Sequence, residues 1–207
     1  MNVWAHSKKI FSVGLIALPM AFLSTTTLTG CLTDDKKEDT TTPPKHTALS
    51  AEKTLAVGAQ GATLGSVMNL DAATDAEMVL SSAQANAAQE EIDLVFMFYG
   101  AKFHIDNAVS AKAAAVAQTP PINLANSYDD AKIKNIQIVK VTTKPADQEA
   151  AKAAFAAGTK IYGSEIAGGE MFLVNTTGGK LALVTVGTIV GADNKANSSF
   201  KVSINTI

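Results

Sequence analysis

The segment Ile92-Asp93-Leu94-Val95-Phe96-Met97-Phe98 is the most apolar stretch of residues 31–207. A short, continuous apolar run that ends near a glycine is typical of a strand buried on both faces, and Gly100 follows this one closely. Phe103 and Ile105 continue the apolar pattern. We therefore predict a central strand here, with the rest of the domain arranged around it.

Further strands are predicted where β-branched and apolar residues cluster or alternate between turn residues. They cover residues 54–58, 66–70, 136–141, 171–174, 181–190 and 200–204. The turn Asn175-Thr176-Thr177-Gly178-Gly179 joins two of them into a hairpin, and the last three form a predicted C-terminal β-meander. Gly163-Ser164-Glu165 is interpreted as a turn.

Alanine-rich segments predict the helices. They cover residues 81–91 and 143–158, and residues 108–118 are predicted to form a helix or a compact loop. Ser81 and Gln84 have capping-box spacing, and Pro145 is expected in the first turn of the third helix. Residues 50–207 are therefore predicted to form a single globular α+β domain with a mixed or mostly antiparallel sheet, two or three alanine-rich helices and the C-terminal meander.

The N-terminal residues carry a pattern of a different kind. Lys8 and Lys9 precede the apolar residues 10–23, which are too few to span a bilayer comfortably. After a polar run comes Leu28-Thr29-Gly30-Cys31. This box resembles the lipobox of bacterial lipoproteins, in which the signal is cut before the cysteine and the thiol is modified with diacylglycerol.

The lipoprotein resemblance implies export from the cytoplasm and a lipid anchor in a membrane. Residues 1–30 would be a signal peptide cleaved between Gly30 and Cys31, and Cys31 would carry acyl chains such as palmitate. An ordinary signal peptide, or a buried helix with a chance cysteine, is the alternative. Because Cys31 is the only cysteine, an intramolecular disulfide is excluded.

Residues 31–49 are predicted to be the lipidated cysteine and a disordered tether, since prolines, threonines and charges there leave little apolar surface to bury. Leu32 is not the aspartate that signals inner-membrane retention in enterobacterial lipoproteins. We therefore expect an outer-membrane protein, facing the cell surface or the periplasm. The acidic cluster within residues 34–39 resembles the surface-export signal of some Bacteroidetes-type lipoproteins, or is simply a soluble spacer.

A fainter resemblance covers most of residues 50–207. It is carried by Gly58-Ala59-Gln60-Gly61, Asn69-Leu70-Asp71, the Ile92 segment and the run from Gly178 to Val186. These look like uncharacterised extracellular domains of surface lipoproteins from Bacteroidetes- and Fibrobacter-type bacteria. The resemblance implies a location and no activity.

Composition narrows the partners. Residues 31–207 contain 15 lysines against 19 acids, no arginine, and no tryptophan, because the single Trp4 lies before them. An acidic chain without arginine argues against nucleic-acid binding. Sugar-binding platforms are usually built from exposed aromatic rings, and the amphipathic candidates here are Tyr99, Tyr128 and Tyr162. The expected partners are the membrane, through the lipid, and a glycan or an envelope protein.

Three residues are singled out as speculative ligand-facing groups: Asp93, His104 and Asp106. His104 and Asp106 are two residues apart, so strand alternation puts both side chains on one face. This pairing could orient a proton-transfer group, or the histidine is merely structural or solvent-facing. No catalytic residue or cofactor is assigned. No metal ligand is assigned either, because a zinc site needs three or four suitable ligands.

Other clusters are interpreted as ordinary surface features. The acids of Glu90-Glu91-Ile92-Asp93 and of Asp129-Asp130 could serve in glycoside hydrolysis only if two carboxyl groups lie at a suitable distance from each other. Asp193, Asn194 and Asn197 lack the spacing of an EF-hand loop.

Two hypotheses follow. The first is a non-enzymatic, membrane-anchored envelope lipoprotein for binding, adhesion or scaffolding. The second is a surface polysaccharide-processing enzyme or a carbohydrate-binding accessory.

Overall fold

The computed structural model describes residues 46–58, 65–191 and 199–207. The predicted signal peptide, the lipidation site at Cys31, most of the tether and the residues from Asp193 to Asn197 lie outside the described residues. Among the helices of the described ranges, none has the length and apolar character needed to cross a membrane.

Strands and helices follow one another along the chain in an α+β order. The strands are β1 (Lys53–Gly58), β2 (Val67–Met68), β3 (Val79–Leu80), β4 (Leu94–Tyr99), β5 (Lys102–Asp106), β6 (Ile138–Val141), β7 (Gly163–Glu165), β8 (Met171–Asn175), β9 (Leu181–Val186) and β10 (Ser199–Thr206). The α-helices are α1 (Asp75–Met78), α2 (Ser82–Ala87), α3 (Ala108–Ala117) and α4 (Gln148–Ala157). A 3₁₀ turn over Gln89–Glu91 precedes β4. The predicted single α+β domain is confirmed.

The strands form two five-stranded antiparallel sheets, a division that the sequence did not predict. The first sheet has the order β1-β10-β9-β8-β6, and the second has the order β3-β2-β4-β5-β7. Because β8, β9 and β10 are neighbours in chain order, the predicted C-terminal meander is present. Its last strand alternates buried and more exposed residues, as an outer face partly open to solvent requires.

The two sheets pack face to face around the main hydrophobic core. Phe96 of the second sheet meets Phe200 of the first edge to face, with ring centroids 5.0 Å apart. Phe103 approaches the same ring at 6.0 Å. The core therefore lies between the sheets, and β4 is buried on both of its faces.

Helices cover the outer faces. Ala108, Ala111 and Ala115 of α3 pack against the second sheet, where Val95 and Met97 face them. Because alanine side chains are small, the helix can approach the sheet closely on this side. On the first sheet, α4 packs through Ala151 against a separate cluster that includes Val139, Leu173 and Leu183.

The start of α4 differs from the prediction. Pro145 lies before the helix, which begins at Gln148 after the N-cap Asp147. The Asp147 carboxylate accepts a 2.7 Å hydrogen bond from the backbone N–H of Ala150. A carboxylate that binds a free N–H group of the first turn is a stronger start signal than a nearby proline.

The interpretation of residues 163–165 as a turn was wrong. They form β7, the edge strand that pairs with β5 and places Gly163 opposite Asp106. Three residues of low strand propensity become a strand because a neighbouring strand offers hydrogen bonds, which is a tertiary effect.

The residues just before Ser50 make contacts with α4. His46 lies 2.8 Å from the Asp147 carboxylate, and the carbonyl of Thr47 accepts the N–H of Gln148. Leu49 packs on the cluster beneath the helix. Part of the segment predicted as tether is therefore in contact with the domain.

Candidate functional site

Asp93 lies immediately before β4 and is fully buried. Its Oδ2 accepts the backbone N–H of Leu70 at 2.6 Å, and its Oδ1 accepts the N–H of Thr177 at 2.6 Å. Leu70 follows β2 of the second sheet, whereas Thr177 lies in the turn between β8 and β9 of the first. One carboxylate thus connects the two sheets at this end of the molecule.

Asp71 binds the next amide of the same turn. Its Oδ2 accepts the N–H of Gly178 at 2.6 Å, and the ammonium of Lys180 lies 3.6 Å from its Oδ1. A Cβ on Gly178 would meet Asp71 Oδ2 at 2.6 Å, so a side chain at this position would displace the carboxylate. We call Asp71, Asp93 and the amides of Leu70, Thr177 and Gly178 the hairpin clasp.

The environment of the clasp changes the acidity of Asp93. Burial raises the pKa of this carboxyl to about 6, because the charged form loses its hydration. The N–H groups of Thr177 and Leu70 act in the opposite direction, and the nearby charge of Asp71 adds to the rise. Desolvation outweighs the two amide bonds, so the folded domain favours a protonated Asp93 more than the unfolded chain does.

A cleft of about 730 Å³ opens beside the clasp. Its polar walls are formed by Asn69, Asp71, Glu77, Gln84, Glu90, Glu91, Lys134, Thr177 and Gly178. The remaining lining residues are Leu80 and three alanines. The volume lies in the usual range for small-molecule sites.

Local hydrogen bonds hold several cleft side chains in place. Glu77 Oε2 accepts the hydroxyl of Thr74 at 2.8 Å in a capping box, and Gln84 Oε1 accepts the N–H of Ser81 at 2.9 Å in another. Two further hydrogen bonds join lining residues to one another. Asn69 Nδ2 donates to Glu91 Oε2 at 3.0 Å, and Lys134 Nζ donates to the carbonyl of Thr177 at 3.3 Å. The polar groups are therefore already arranged without a ligand.

His104 and Asp106 share one face of β5, as alternation predicts. The His104 ring stacks on Tyr99, with ring centroids 3.7 Å apart and planes 15° from parallel. Asp106 is buried and accepts hydrogen bonds from the hydroxyls of Tyr99 and Ser110, each at 3.3 Å. We call this group the Asp106 cluster.

Desolvation is the main cause of the pKa shifts in the Asp106 cluster. Burial raises the pKa of Asp106 to about 6, partly offset by the hydroxyls of Tyr99 and Ser110. Burial also lowers the pKa of His104, which favours the neutral imidazole. A Cβ on Gly163 would collide with the Asp106 carboxylate, so the edge strand closes over it.

The three residues singled out from the sequence thus fall into two places. His104 and Asp106 lie together, whereas Asp93 belongs to the hairpin clasp. Of the acid clusters, Glu90 and Glu91 line the cleft. The charge of Asp130 instead pairs with Lys112 of α3 at 2.7 Å.

The sequence analysis assigned no ligand-facing role to the cleft residues Asp71, Glu77, Gln84 and Lys134. Thr74 and Glu77 have the same capping-box spacing as Ser81 and Gln84, so this second box was detectable. That both boxes border one cleft was not. Within the described ranges, no group of three or more histidine, cysteine or acidic side chains is arranged to hold a metal ion.

Comparisons of this chain with protein-family models, with curated proteins and with solved structures gave no match.

Proposed function

We propose that the chain is a cell-envelope lipoprotein, anchored to the outer membrane through acyl chains on Cys31, and that its domain is a binding module for adhesion or scaffolding. The observation that carries the binding role is the cleft beside the hairpin clasp, in which several polar side chains are held by protein hydrogen bonds before any ligand arrives. Preorganised groups bind with a smaller loss of conformational entropy than mobile ones.

The lining of the cleft supports a polar, uncharged or cationic ligand. Asp71, Glu77, Glu90 and Glu91 offer acceptor oxygens, whereas Lys134 is the lysine among the lining residues. A glycan hydroxyl can donate to a carboxylate and accept from an ammonium or amide N–H, so a neutral glycan suits this set. A polar segment of an envelope protein suits it as well. A strongly anionic polymer would meet an excess of like charge.

The second candidate is a polysaccharide-processing enzyme or carbohydrate-binding accessory. It is favoured by the presence of Glu77, Glu90 and Glu91 in one cleft, since glycoside hydrolysis generally uses two carboxyl groups. The buried aspartates Asp93 and Asp106 do not favour it, because neither of them is among the cleft-lining residues.

The binding role is tested with neutral envelope glycans by titration calorimetry. Glu91→Gln and Lys134→Met should each weaken binding about tenfold or more, because each removes a charged hydrogen-bonding partner. Asp130→Asn is the matched control, since its charge pairs with α3 and it is not among the cleft-lining residues. Release of reducing ends, abolished by Glu90→Gln or Glu91→Gln, would overturn the binding role in favour of the enzyme.

The anchor is tested separately by membrane fractionation of cells that express Cys31→Ser. We expect the substituted chain to leave the membrane fraction, because the acyl chains supply the membrane affinity. Retention in the membrane would contradict the lipoprotein proposal. Protease treatment of intact cells then reports the side of the membrane: cleavage means the cell surface, and protection means the periplasm.

A further inference from the structure

The seven residues that precede β1, residues 46–52, contact the start of α4, and we call them the strap. His46 Nδ1 lies 2.8 Å from the Asp147 carboxylate, which caps the helix. The backbone N–H of Gln148 donates to the carbonyl of Thr47 at 2.9 Å. Because Gln148 is the first residue of α4, this N–H has no acceptor within the helix. The strap therefore supplies an acceptor that the helix itself lacks.

Further contacts hold the middle of the strap. Gln148 Nε2 donates to the carbonyl of Ala48 at 3.1 Å, and Asn205 Nδ2 donates to the carbonyl of Ser50 at 2.9 Å. Leu49 packs on the apolar cluster beneath α4. The strap thus connects α4 with β10, the strand that carries Asn205.

These contacts hold the strap only weakly. Leu49 is half-buried, and every other residue of the strap is exposed. Glu52 forms an ion pair with Lys144 at 3.0 Å, but these side chains are 45% and 48% exposed, and that of His46 is 67% exposed. Exposed ion pairs contribute little to stability, whereas ordering seven residues costs conformational entropy. The docked strap is therefore close in free energy to a released one.

The strand that follows the strap is held much more firmly. Every residue of Lys53–Gly58 pairs with β10, and Val57 is fully buried in the main core. Detaching β1 would break the first sheet, whereas detaching the strap breaks no strand pairing. The start of β1 therefore sets the limit to which the N-terminal side of the domain can open locally.

We propose that the strap is a detachable segment, so that the domain exchanges between two forms. In the docked form the chain leaves the domain beside α4, and in the released form it leaves at the start of β1. Release uncovers the part of the apolar cluster on which Leu49 packs and frees the N–H of Gln148. Local openings with few buried contacts occur far more often than global unfolding.

The exchange changes how far the domain reaches from an anchor. For a chain attached through Cys31, a purpose that rests on the function proposed above, release moves the attachment point from His46 to Lys53. Seven extended residues span at most about 25 Å, so the domain gains up to that reach. The docking of the strap does not itself depend on the anchor, and it is tested without the lipid.

The test is hydrogen exchange of the Gln148 backbone N–H, measured by NMR on the full chain with Cys31→Ser. We expect this amide to exchange at least about tenfold more slowly than a free amide of the same sequence, because Thr47 binds it in the docked form. It should also exchange at least about tenfold faster than the amides of β9, which is paired on both sides and opens only when the domain unfolds.

Two outcomes of this measurement would overturn the proposal. Exchange of the Gln148 amide at the rate of a free amide would mean that the strap does not dock. Exchange at the rate of the β9 amides would mean that the strap detaches only when the whole domain unfolds. Neither outcome bears on the anchor, because membrane fractionation tests Cys31 separately.

Leu49→Ser tests whether the apolar contact holds the strap. It should speed the exchange of the Gln148 amide about tenfold, because it removes the half-buried apolar side chain of the strap. Val116→Ser is the matched control, since Val116 is an exposed apolar residue of α3, and it should leave this exchange unchanged. Equal rates in the two variants would contradict the proposal.

Asp147→Asn tests the ion pair with His46. Asparagine is also a good N-cap, so the N–H of Ala150 should stay protected. The Gln148 amide should exchange about two- to fivefold faster, as the loss of an exposed ion pair allows. Faster exchange at Ala150 as well would mean that the helix start has frayed and that the strap was not released on its own.

Discussion

Asp93, just before β4, and Asp106, the last residue of β5, are both buried. Burial raises the pKa of each to about 6. Their partners differ. Asp93 accepts two backbone N–H groups at 2.6 Å, whereas Asp106 accepts two hydroxyls at 3.3 Å. A backbone donor is fixed by the fold and has no alternative partner, but a hydroxyl can rotate. Equal burial therefore does not mean an equal structural role.

The largest expected effect is at Asp93. Asp93→Ala removes the acceptor of the buried Leu70 amide and of the half-buried Thr177 amide, and an unsatisfied buried group costs about 1–3 kcal/mol. We expect the free energy of unfolding at pH 7 to fall by about 3 kcal/mol, measured by urea denaturation. Asp106→Ala should cost less, because the hydroxyls of Tyr99 and Ser110 can turn to other acceptors. Equal losses in the two variants would remove the distinction between the two sites.

The conservative variant Asp106→Asn sharpens the contrast. A carboxyl whose pKa is raised in the folded state contributes stability below its unfolded pKa, and this stability is lost as the pH rises through the folded value of about 6. Asn carries no charge at any pH, so Asp106→Asn should be more stable than the wild type at pH 8 by about 1–3 kcal/mol. The gain should shrink toward pH 5. A variant that is less stable than the wild type at pH 8 would show that the ionised carboxylate is needed.

A third change tests how closely the edge strand covers Asp106. A methyl group at Gly163 would enter space that the carboxylate occupies. Gly163→Ala should therefore lower the free energy of unfolding by about 1–3 kcal/mol, as overpacked cores do. Ser164→Ala, in the same strand, is the control and should change it by less than about 0.5 kcal/mol. Thermal unfolding measures both, and a tolerated alanine at 163 would mean that β7 can move away from β5.

The smallest effect is at the turn that joins β4 to β5. Gly100 and Ala101 both have positive φ, at 58° and 64°, and this region is costly for a residue with a Cβ. Ala101→Gly should raise the free energy of unfolding by up to about 1 kcal/mol, less the entropy that glycine adds to the unfolded chain. The pKa values of Asp93 and Asp106, followed by NMR in the Ala101→Gly variant, should be unchanged. A loss of stability would indicate that the turn relaxes around Ala101.

Much of the secondary structure could be predicted because its signals are local. The central apolar run, the capping box at Ser81 and the alanine-rich residues 108–118 all correspond to elements of the structure. The meander could be predicted because a glycine-rich turn and alternating residues lie close together in the chain. The start of α4 and the strand β7 could not, since one depends on a competing cap at Asp147 and the other on a partner strand.

The candidate site was predicted only in fragments. His104 and Asp106 were placed on one face correctly, because alternation in a strand is a property of the backbone itself. The cleft was not predicted, because its walls come from residues 69–91, 134 and 177–178, and only the packing of two sheets brings them together. Asp93 was chosen as a ligand-facing residue, yet both of its oxygens bind amides of the protein.

The sequence by itself determined the class of fold, the alanine-rich helices, the C-terminal meander and the expectation of a lipid anchor, because periodicity, caps and short motifs act within a few residues. The tertiary structure alone decided that the strands form two sheets, that Asp71 and Asp93 meet the same hairpin, and that polar residues far apart in the chain share one cleft. Those outcomes depend on how buried surfaces pack and on which amides need an acceptor. Both depend on residues that are far apart in the chain, so no local sequence pattern predicts them.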